Sequence, residues 1–341
     1  MFDLNQNIPL LLSLVFIVGG LAALSWSADR FIDGAGAIAR AFGVSPLIVG
    51  MVIIGFGTSA PELVVSVLSG IGHHSNLSLG NAYGSCIFNI AAILGVAALI
   101  RPLAVKRSVT CLAVPLLLGI ALVSYLLVRD GQFERSNGLL LLGLFAVVLP
   151  FYCWFDQKSK GAGGAAKAEG GEPAEPGIGL RRAWIYLLVG LVVLVASSHV
   201  LVWGCVDFAR DVLHVSDLMI GLTVVAMGTS LPELASAIVS ARKGEHEFVI
   251  GNIVGSNLFN CLGVVGIAGS ICPFGGFSGY IVTRDLPVIA LLTLAIFLFG
   301  FNWRRPSEPG RIGRLIGALW VLSFVVYLVA MIAQETGVFS K

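Results

Sequence analysis

The stretch Gly-Thr-Ser-Ala-Pro-Glu at residues 57–62 returns as Gly-Thr-Ser-Leu-Pro-Glu at residues 228–233. Each copy lies in the middle of a long apolar segment, Leu47–Leu68 and Leu218–Val239. A carboxylate at the centre of a bilayer costs about 2.5–3.5 kcal/mol on insertion scales. The proline removes one helical hydrogen bond, so we predict that each helix breaks at its motif and exposes backbone oxygen. Hydroxyls, a carboxylate and free carbonyls at mid-membrane depth predict a site for a hard cation.

The composition is that of an integral membrane protein. Of the 341 residues, 57% are apolar and only 12% are charged, whereas soluble domains carry roughly 25% charged residues. The net charge of +2 comes without a basic tract, so no nucleic-acid partner is expected. Pro9–Trp26 lacks a basic flank and a cleavage site, and we expect it to be a first span rather than a removable signal peptide.

Apolar runs of helical length predict an all-α membrane protein with ten transmembrane helices. A polar stretch at 156–180, rich in Gly, Ala, Lys and Glu, predicts a cytoplasmic linker. The linker divides the chain into a first five-helix repeat at 1–155 and a second at 181–341. We expect the ten spans near 8–38, 45–71, 78–100, 108–128, 136–155, 182–206, 216–241, 247–271, 281–301 and 312–334.

The two halves are related in sequence. Residues 44–103 align with 215–274 at a constant offset of 171 without gaps, and 21 of the 60 pairs are identical. Most of the identities fall on polar and glycine positions rather than on Leu and Val, which argues against a chance match between apolar segments. The chain is therefore predicted to contain an internal repeat.

The distribution of Lys and Arg predicts the orientation. With the N-terminus outside, the inner loops and the linker hold 16 of the 21 basic residues. This predicts that both termini lie outside. Because each half has an odd number of spans, the second half then enters the membrane upside down, which is an architecture of secondary transporters with a site at the midplane.

A second polar motif follows on the next predicted helix of each half. Asn, Ser and Asn recur there at spacing i, i+4, i+8, so they share one helix face. Glycines on the same helices form small-xxx-small patterns that let two helices approach closely. The residues are Asn81, Ser85 and Asn89 with Gly80 and Gly84 in the first half, and Asn252, Ser256 and Asn260 with Gly251 and Gly255 in the second.

Together the motifs supply two carboxylates, several hydroxyls and two or more carboxamides. Calcium takes about 6–8 oxygen ligands and prefers carboxylates, and sodium accepts the same ligands with less charge. No His or Cys at metal-binding spacing accompanies them, which argues against zinc, copper or iron.

These paired motifs resemble the two alpha-repeats of the sodium/calcium exchanger family, within the cation/Ca2+ exchanger superfamily. The resemblance covers about 44–103 and 215–274. It implies a secondary active antiporter of the plasma (inner) membrane that exchanges Ca2+ for Na+ by alternating access, with no enzymatic activity, no cofactor beyond the transported ions and no obligatory protein partner. The implied central calcium ligands are Glu62 and Glu233, and the other implied ligands of sodium and calcium are Thr58, Ser59, Thr229, Ser230, Ser85, Asn89, Ser256 and Asn260.

One position departs from the family pattern. Several members of the family place an Asp where this chain has Asn260, so the site is expected to have two carboxylates instead of three. The coupling ion therefore stays open between Na+, H+ and K+. A passive channel is a weaker alternative because it would need a continuous polar pore, and an intramembrane enzyme would need a nucleophile–base pair or an aspartate dyad that these spans lack.

The predicted orientation can be tested with reporter fusions. We expect a fusion at the C-terminus to report the outer side of the membrane and a fusion near Lys167 to report the cytoplasm. A cytoplasmic C-terminus would contradict the inverted repeat, because the two halves would no longer be antiparallel.

Overall fold

The computed structural model describes residues 10–73, 75–161, 178–211 and 226–335. Within these ranges the protein is almost wholly helical, as the apolar runs predict. The helices are α1 Leu10–Phe42, α2 Pro46–Thr58, α3 Ala60–Ile71, α4 Asn76–Ile100, α5 Val109–Val128, α6 Arg135–Gly161, α7 Leu180–Asp211, α8 Ala226–Gly228, α9 Leu231–Lys243, α10 His246–Ile271, α11 Ile281–Gly300 and α12 Arg314–Glu335.

The described residues form an all-α protein that crosses the membrane several times. Eight of the described helices are long and apolar enough to span a bilayer, and the bent pair of α2 and α3 makes a ninth when it is counted as one span. The predicted seventh span at 216–241 is described only from residue 226 onward, so its first part lies outside the described residues.

Helices α4 and α10 form the centre of the protein. The apolar window of α10 is 100% buried and that of α4 is 78% buried, compared with 17% for α6 and 11% for α12. The outer helices present Leu, Val and Phe on their surfaces, which suits a lipid solvent that is as apolar as these side chains. The polar motifs on α4 and α10 are therefore shielded from the bilayer by the surrounding helices.

Glycines bring α10 into backbone contact with α2. A β-carbon at Gly251 would meet Gly50 and the carbonyl oxygen of Leu47, and one at Gly255 would overlap the backbone of Met51. The small-xxx-small prediction is thus confirmed for the second half. For Gly80 and Gly84, a β-carbon would meet no described atom within 4 Å, and the segment that the offset of 171 places opposite them, around 218–222, lies outside the described residues.

Helices α1 and α7 pack along each other in opposite directions. Gly34 of α1 meets the backbone of Leu187, whereas Gly20, more than three turns earlier, meets the backbone of Leu201. In return, Gly190 of α7 packs on the backbone of Phe31. The first helices of the two halves therefore run antiparallel.

Two short antiparallel β-ribbons connect loops that are distant in sequence. Strand β1 (Leu103–Val105) pairs with β4 (Gly310–Ile312), and Leu103 lies opposite Ile312. Strand β2 (Gln132–Phe133) pairs with β3 (Phe274–Gly275). Each ribbon ties a loop of the first half to a loop of the second half.

The contact between α2 and α10 predicts that Gly255→Ala is destabilising. The added methyl group would meet the Met51 backbone, which cannot move aside as a flexible side chain would, and overpacking of this kind costs about 1–3 kcal/mol. We expect a lower melting temperature in detergent. The matched control is Gly119→Ala in α5, where a β-carbon would meet no described atom within 4 Å; an unchanged melting temperature for Gly255→Ala would contradict the close contact.

Candidate cation-binding site

Both Gly-Thr-Ser-x-Pro-Glu motifs interrupt their helices, as the sequence predicts. Helix α2 ends at Thr58 and α3 begins at Ala60, with a bend of 43° between them. In the second motif, α8 ends at Gly228 and α9 begins at Leu231. Each proline therefore stands in the first turn of the new helix, where its missing N–H is tolerated, and each glutamate lies in that same first turn.

The two glutamates are held by serines of the opposite motif. Ser59 Oγ donates to Oε1 of Glu233 at 2.9 Å, and Ser230 Oγ donates to Oε1 of Glu62 at 2.7 Å. Ser85 Oγ on α4 lies 3.4 Å from the same Glu62 oxygen and 3.1 Å from the Ser230 hydroxyl. These contacts bring the two motifs, 171 residues apart in the sequence, into one polar cluster.

Asn81 connects the first glutamate to the second motif. Its Nδ2 donates to the backbone carbonyl of Glu62 at 3.0 Å and lies 2.9 Å from Ser66 Oγ. Its Oδ1 accepts from Thr229 Oγ1 at 3.4 Å. Asn81 thus bridges α3 and the break between α8 and α9.

Asn252 repeats this arrangement in the other half. Its Nδ2 donates to the backbone carbonyl of Glu233 at 3.3 Å, and its Oδ1 lies 3.3 Å from Thr58 Oγ1 and 3.4 Å from Ser256 Oγ. Asn81 and Asn252, which correspond at the offset of 171, therefore make equivalent hydrogen bonds. Both support the glutamate of their own half and contact the threonine of the other.

The freed carbonyl of the second break has a protein partner. The carbonyl of Gly228 lies four residues before Pro232 and so loses its usual helical donor. Ser198 Oγ of α7 donates to it at 3.0 Å. This backbone oxygen is one that the sequence predicts to be available, and the structure shows it already hydrogen-bonded.

All ten predicted ligand residues are buried. Thr58, Ser59, Glu62, Asn89, Ser230, Glu233, Ser256 and Asn260 are 0% exposed, Ser85 is 3% exposed and Thr229 is 8% exposed. No Lys or Arg among the described residues forms an ion pair with Glu62 or Glu233. Oε2 of each glutamate is buried and accepts no hydrogen bond from the part of the chain that the structure describes. The centre of the protein thus holds two carboxylates with unsatisfied oxygen atoms.

The family model for sodium/calcium exchanger proteins matches residues 12–154 and again residues 182–333. The chain belongs to the sodium/calcium exchanger protein family. Its two matched segments lie on either side of the polar stretch at 156–180, and each contains one Gly-Thr-Ser-x-Pro-Glu motif.

The exchanger is similar to relatives over nearly its whole length. It is 37% identical to CaxA of Alkalimonas amylolytica, with 93% of this chain and 98% of that protein covered. It is 36% identical to the inner membrane protein YrbG of Escherichia coli, with 94% and 96% covered. The solved structure of the sodium-calcium exchanger NCX_Mj without Na+ and Ca2+ has a TM-score of 0.79 at 27% identity, with 94% of this chain and 99% of that chain covered. The fold and family are those of a cation/Ca2+ antiporter.

The second polar motif ends in Asn in both halves of this exchanger, but the two Asn side chains differ in their hydrogen bonds. Asn89 Nδ2 donates to Oδ1 of Asn257 at 3.0 Å, while its own Oδ1 has no partner among the described residues. For Asn260, neither side-chain atom has a hydrogen-bond partner within the described ranges. Asn89 is the first residue of the π-helical turn Asn89–Leu94, and Asn260 lies within the π-helical turn Phe259–Val264. Such wide turns are frequent at functional sites.

Sequence reasoning did not identify Asn257 as part of this cluster. The signal that could have found it is a break in the repeat, because the offset of 171 pairs Asn257 with Cys86. A polar residue that replaces an apolar one on the most buried helix requires a hydrogen-bond partner. The partner of Asn257 is therefore expected on the neighbouring helix α4.

Proposed function

We propose that this protein moves Ca2+ across the membrane in exchange for Na+, and that one site between the two motifs binds both ions in turn. The observation that carries the proposal is the pair of buried glutamates, Glu62 and Glu233, each with an Oε2 atom that no described residue satisfies. Membership of the sodium/calcium exchanger family supports the same conclusion.

The charge of the cluster favours a divalent cation. Two carboxylates bring a charge of −2 into an apolar interior, where an unpaired buried ion is costly. The serine hydroxyls that contact them stabilise this charge but do not neutralise it. One Ca2+ would neutralise it and would be bound by the carboxylate oxygens that are left without partners, since Ca2+ prefers such hard ligands.

The proposed ligand set extends beyond the glutamates. The hydroxyls of both motifs and the carboxamide oxygens supply neutral ligands, which suit the lower charge of Na+. The proposed set is Thr58, Ser59, Glu62, Ser85, Asn89, Thr229, Ser230, Glu233, Ser256 and Asn260.

We also propose that the two halves form an inverted repeat of five helices each, 1–155 and 181–341, with a cytoplasmic linker at 156–180 and both termini outside. The antiparallel packing of α1 on α7 supports this arrangement. So does the crossing of α4 and α10, in which Asn89 meets Asn257 while the earlier Cys86 meets the later Cys261. Counterparts that run in opposite directions allow one site to open to either side in turn.

The membrane in question is proposed to be the plasma (inner) membrane, because the relative YrbG is named an inner membrane protein. The substrates are Ca2+ and Na+, and the surrounding partner is the lipid bilayer. Transport needs no resident cofactor in this scheme, since the ions bind directly to the protein oxygens.

Glu62→Gln and Glu233→Gln are each predicted to abolish Ca2+ exchange. The amide has nearly the same shape but removes half of the site's charge, so we expect exchange to fall at least about 100-fold, the upper end of the loss seen for residues that only support a metal ligand. The measurement is radioactive Ca2+ flux in vesicles that contain equal amounts of inserted protein.

The matched control is Glu308→Gln, an exposed glutamate in a loop that pairs with Arg305. It should leave the flux unchanged, since exposed ion pairs contribute little. Near-normal flux in either buried variant would refute the assignment of these two carboxylates.

The coupling ion is predicted to be sodium. Vesicles loaded with Na+, with K+ or with neither are placed in Ca2+ at clamped pH, and uptake is expected only when sodium can flow outward. Uptake that follows a pH gradient and ignores sodium would replace this proposal with a proton-coupled exchanger, because a buried carboxylate can carry a proton in place of a metal ion. Uptake that needs K+ would add potassium to the cycle.

A further inference from the structure

The two carboxamides at the end of the second motif are equivalent in sequence but not in structure. The offset of 171 pairs Asn89 with Asn260. Asn89 has an amide partner in Asn257, whereas the residue that corresponds to Asn257 in the first half is Cys86. The thiol of Cys86 lies 3.5 Å from the thiol of Cys261. Among the described residues, Asn260 is left with no partner for either side-chain atom.

The contacts of Asn257 determine which way the Asn89 amide faces. A backbone carbonyl can only accept a hydrogen bond, so the group of Asn257 that lies 3.3 Å from the carbonyl of Cys86 is its Nδ2. The Oδ1 of Asn257 must then point the other way, where it lies 3.0 Å from Asn89. An amide oxygen can only accept, so Asn89 presents its Nδ2 to it. The oxygen of Asn89 is thereby left without a hydrogen bond from any residue that the structure describes.

This chain of bonds has a chemical consequence for a cation. A carboxamide binds a metal ion through its oxygen, while its NH2 group carries positive partial charge and would repel the ion. If an Asn side chain rotates freely, ion binding must order it with its oxygen towards the ion, and this loss of freedom weakens the binding. Asn89 is held in one orientation by its hydrogen bond to Asn257, whereas no described residue makes such a bond to Asn260.

We propose that Asn257 is a positioning residue: it holds the Asn89 carboxamide so that Oδ1 is available to the transported cation. The inference rests on the proposed function, in that Asn89 must face a bound ion. It assigns to Asn257 a role that its counterpart Cys86 cannot perform, because a thiol is a weak donor and a weak acceptor.

The first test is the Ca2+ dissociation constant of the purified full chain, measured by calorimetry. Asn257→Leu keeps the size of the side chain and removes both hydrogen bonds. Loss of a residue that orients a metal ligand weakens affinity by about 10–100-fold, and we expect a change at the lower end of that range. The control is Cys261→Ala, a substitution one turn further along the same buried helix that leaves the Asn257–Asn89 pair intact and should leave the dissociation constant unchanged.

The second test separates positioning from packing. In an Asn89→Asp background the side chain has two equivalent oxygen atoms. Either oxygen can then bind the cation, so binding no longer depends on the orientation of the side chain. Asn257→Leu should then cause no loss of Ca2+ affinity, because the Oδ1 of Asn257 only accepts hydrogen bonds and makes none with an Asp carboxylate. An equal loss of affinity with and without the Asn89→Asp substitution would show that Asn257 acts through packing, and would overturn the proposal. An Asn89→Asp protein that binds no Ca2+ would contradict the placement of Asn89 at the ion and would overturn it as well.

A second substitution at the same position serves as a control for a failure to fold and insert. If Asn257→Leu does not insert, Asn257→Ser is measured in the same way, and failure of both to insert would mean that Asn257 is structural and the proposal wrong. An unchanged dissociation constant in an inserted variant would also overturn it. A wild-type chain that moves no Ca2+ would refute the proposed function itself, whereas normal wild-type exchange with an unaffected Asn257→Leu would refute only the role of Asn257.

Discussion

The structure depends on two carboxylates that are buried in an apolar interior and held by serines of the opposite half. Ser59 donates to Glu233, and Ser230 donates to Glu62. Because each glutamate takes its shortest described hydroxyl contact from the other motif, neither half completes the cluster alone. The crossed hydrogen bonds stabilise the negative charge only in part, since hydroxyl groups solvate an ion without neutralising it. Two buried negative charges are costly without a counter-ion, so under the proposed function a bound cation would stabilise this interior.

The surrounding architecture follows from the need to bring these groups together. The helix breaks place each glutamate in a first turn, where the helix dipole favours negative charge. Glycines on α10 let its backbone touch α2, so that Asn252 reaches Thr58 of the first motif and Ser256 donates to the carbonyl of Gly55, two residues before that motif. Among the eight described helices long enough to span a membrane, α10 and α4 are the most buried. Both carry polar motif residues that have to be kept from lipid, and the outer helices present apolar side chains on their surfaces. The packing between helices thus encloses the polar centre within an extensive core of buried apolar side chains.

Much of this arrangement could be predicted from the sequence, because polar residues in an apolar segment stand out and the repeat shows which of them correspond. The helix breaks, the burial of all ten predicted ligand residues and the close approach at Gly251 and Gly255 follow from residue type and spacing alone. The partners of individual side chains do not, because they depend on helix rotation and on contacts between segments far apart in the chain. Spacing places Asn89 and Asn260 in equivalent positions, yet Asn257 binds only one of them. Likewise, nothing in the motif indicates that Ser198 would occupy the freed carbonyl of Gly228.

The central claim is that Glu62 and Glu233 belong to one site that a single Ca2+ occupies and that Na+ competes for. It is tested most directly by counting Ca2+ bound per purified chain in detergent by calorimetry, with and without Na+. We expect one Ca2+ per chain, with an apparent affinity that falls as Na+ is raised. Binding of two Ca2+ ions to independent sites, or of one ion with an affinity that Na+ leaves unchanged, would contradict the claim.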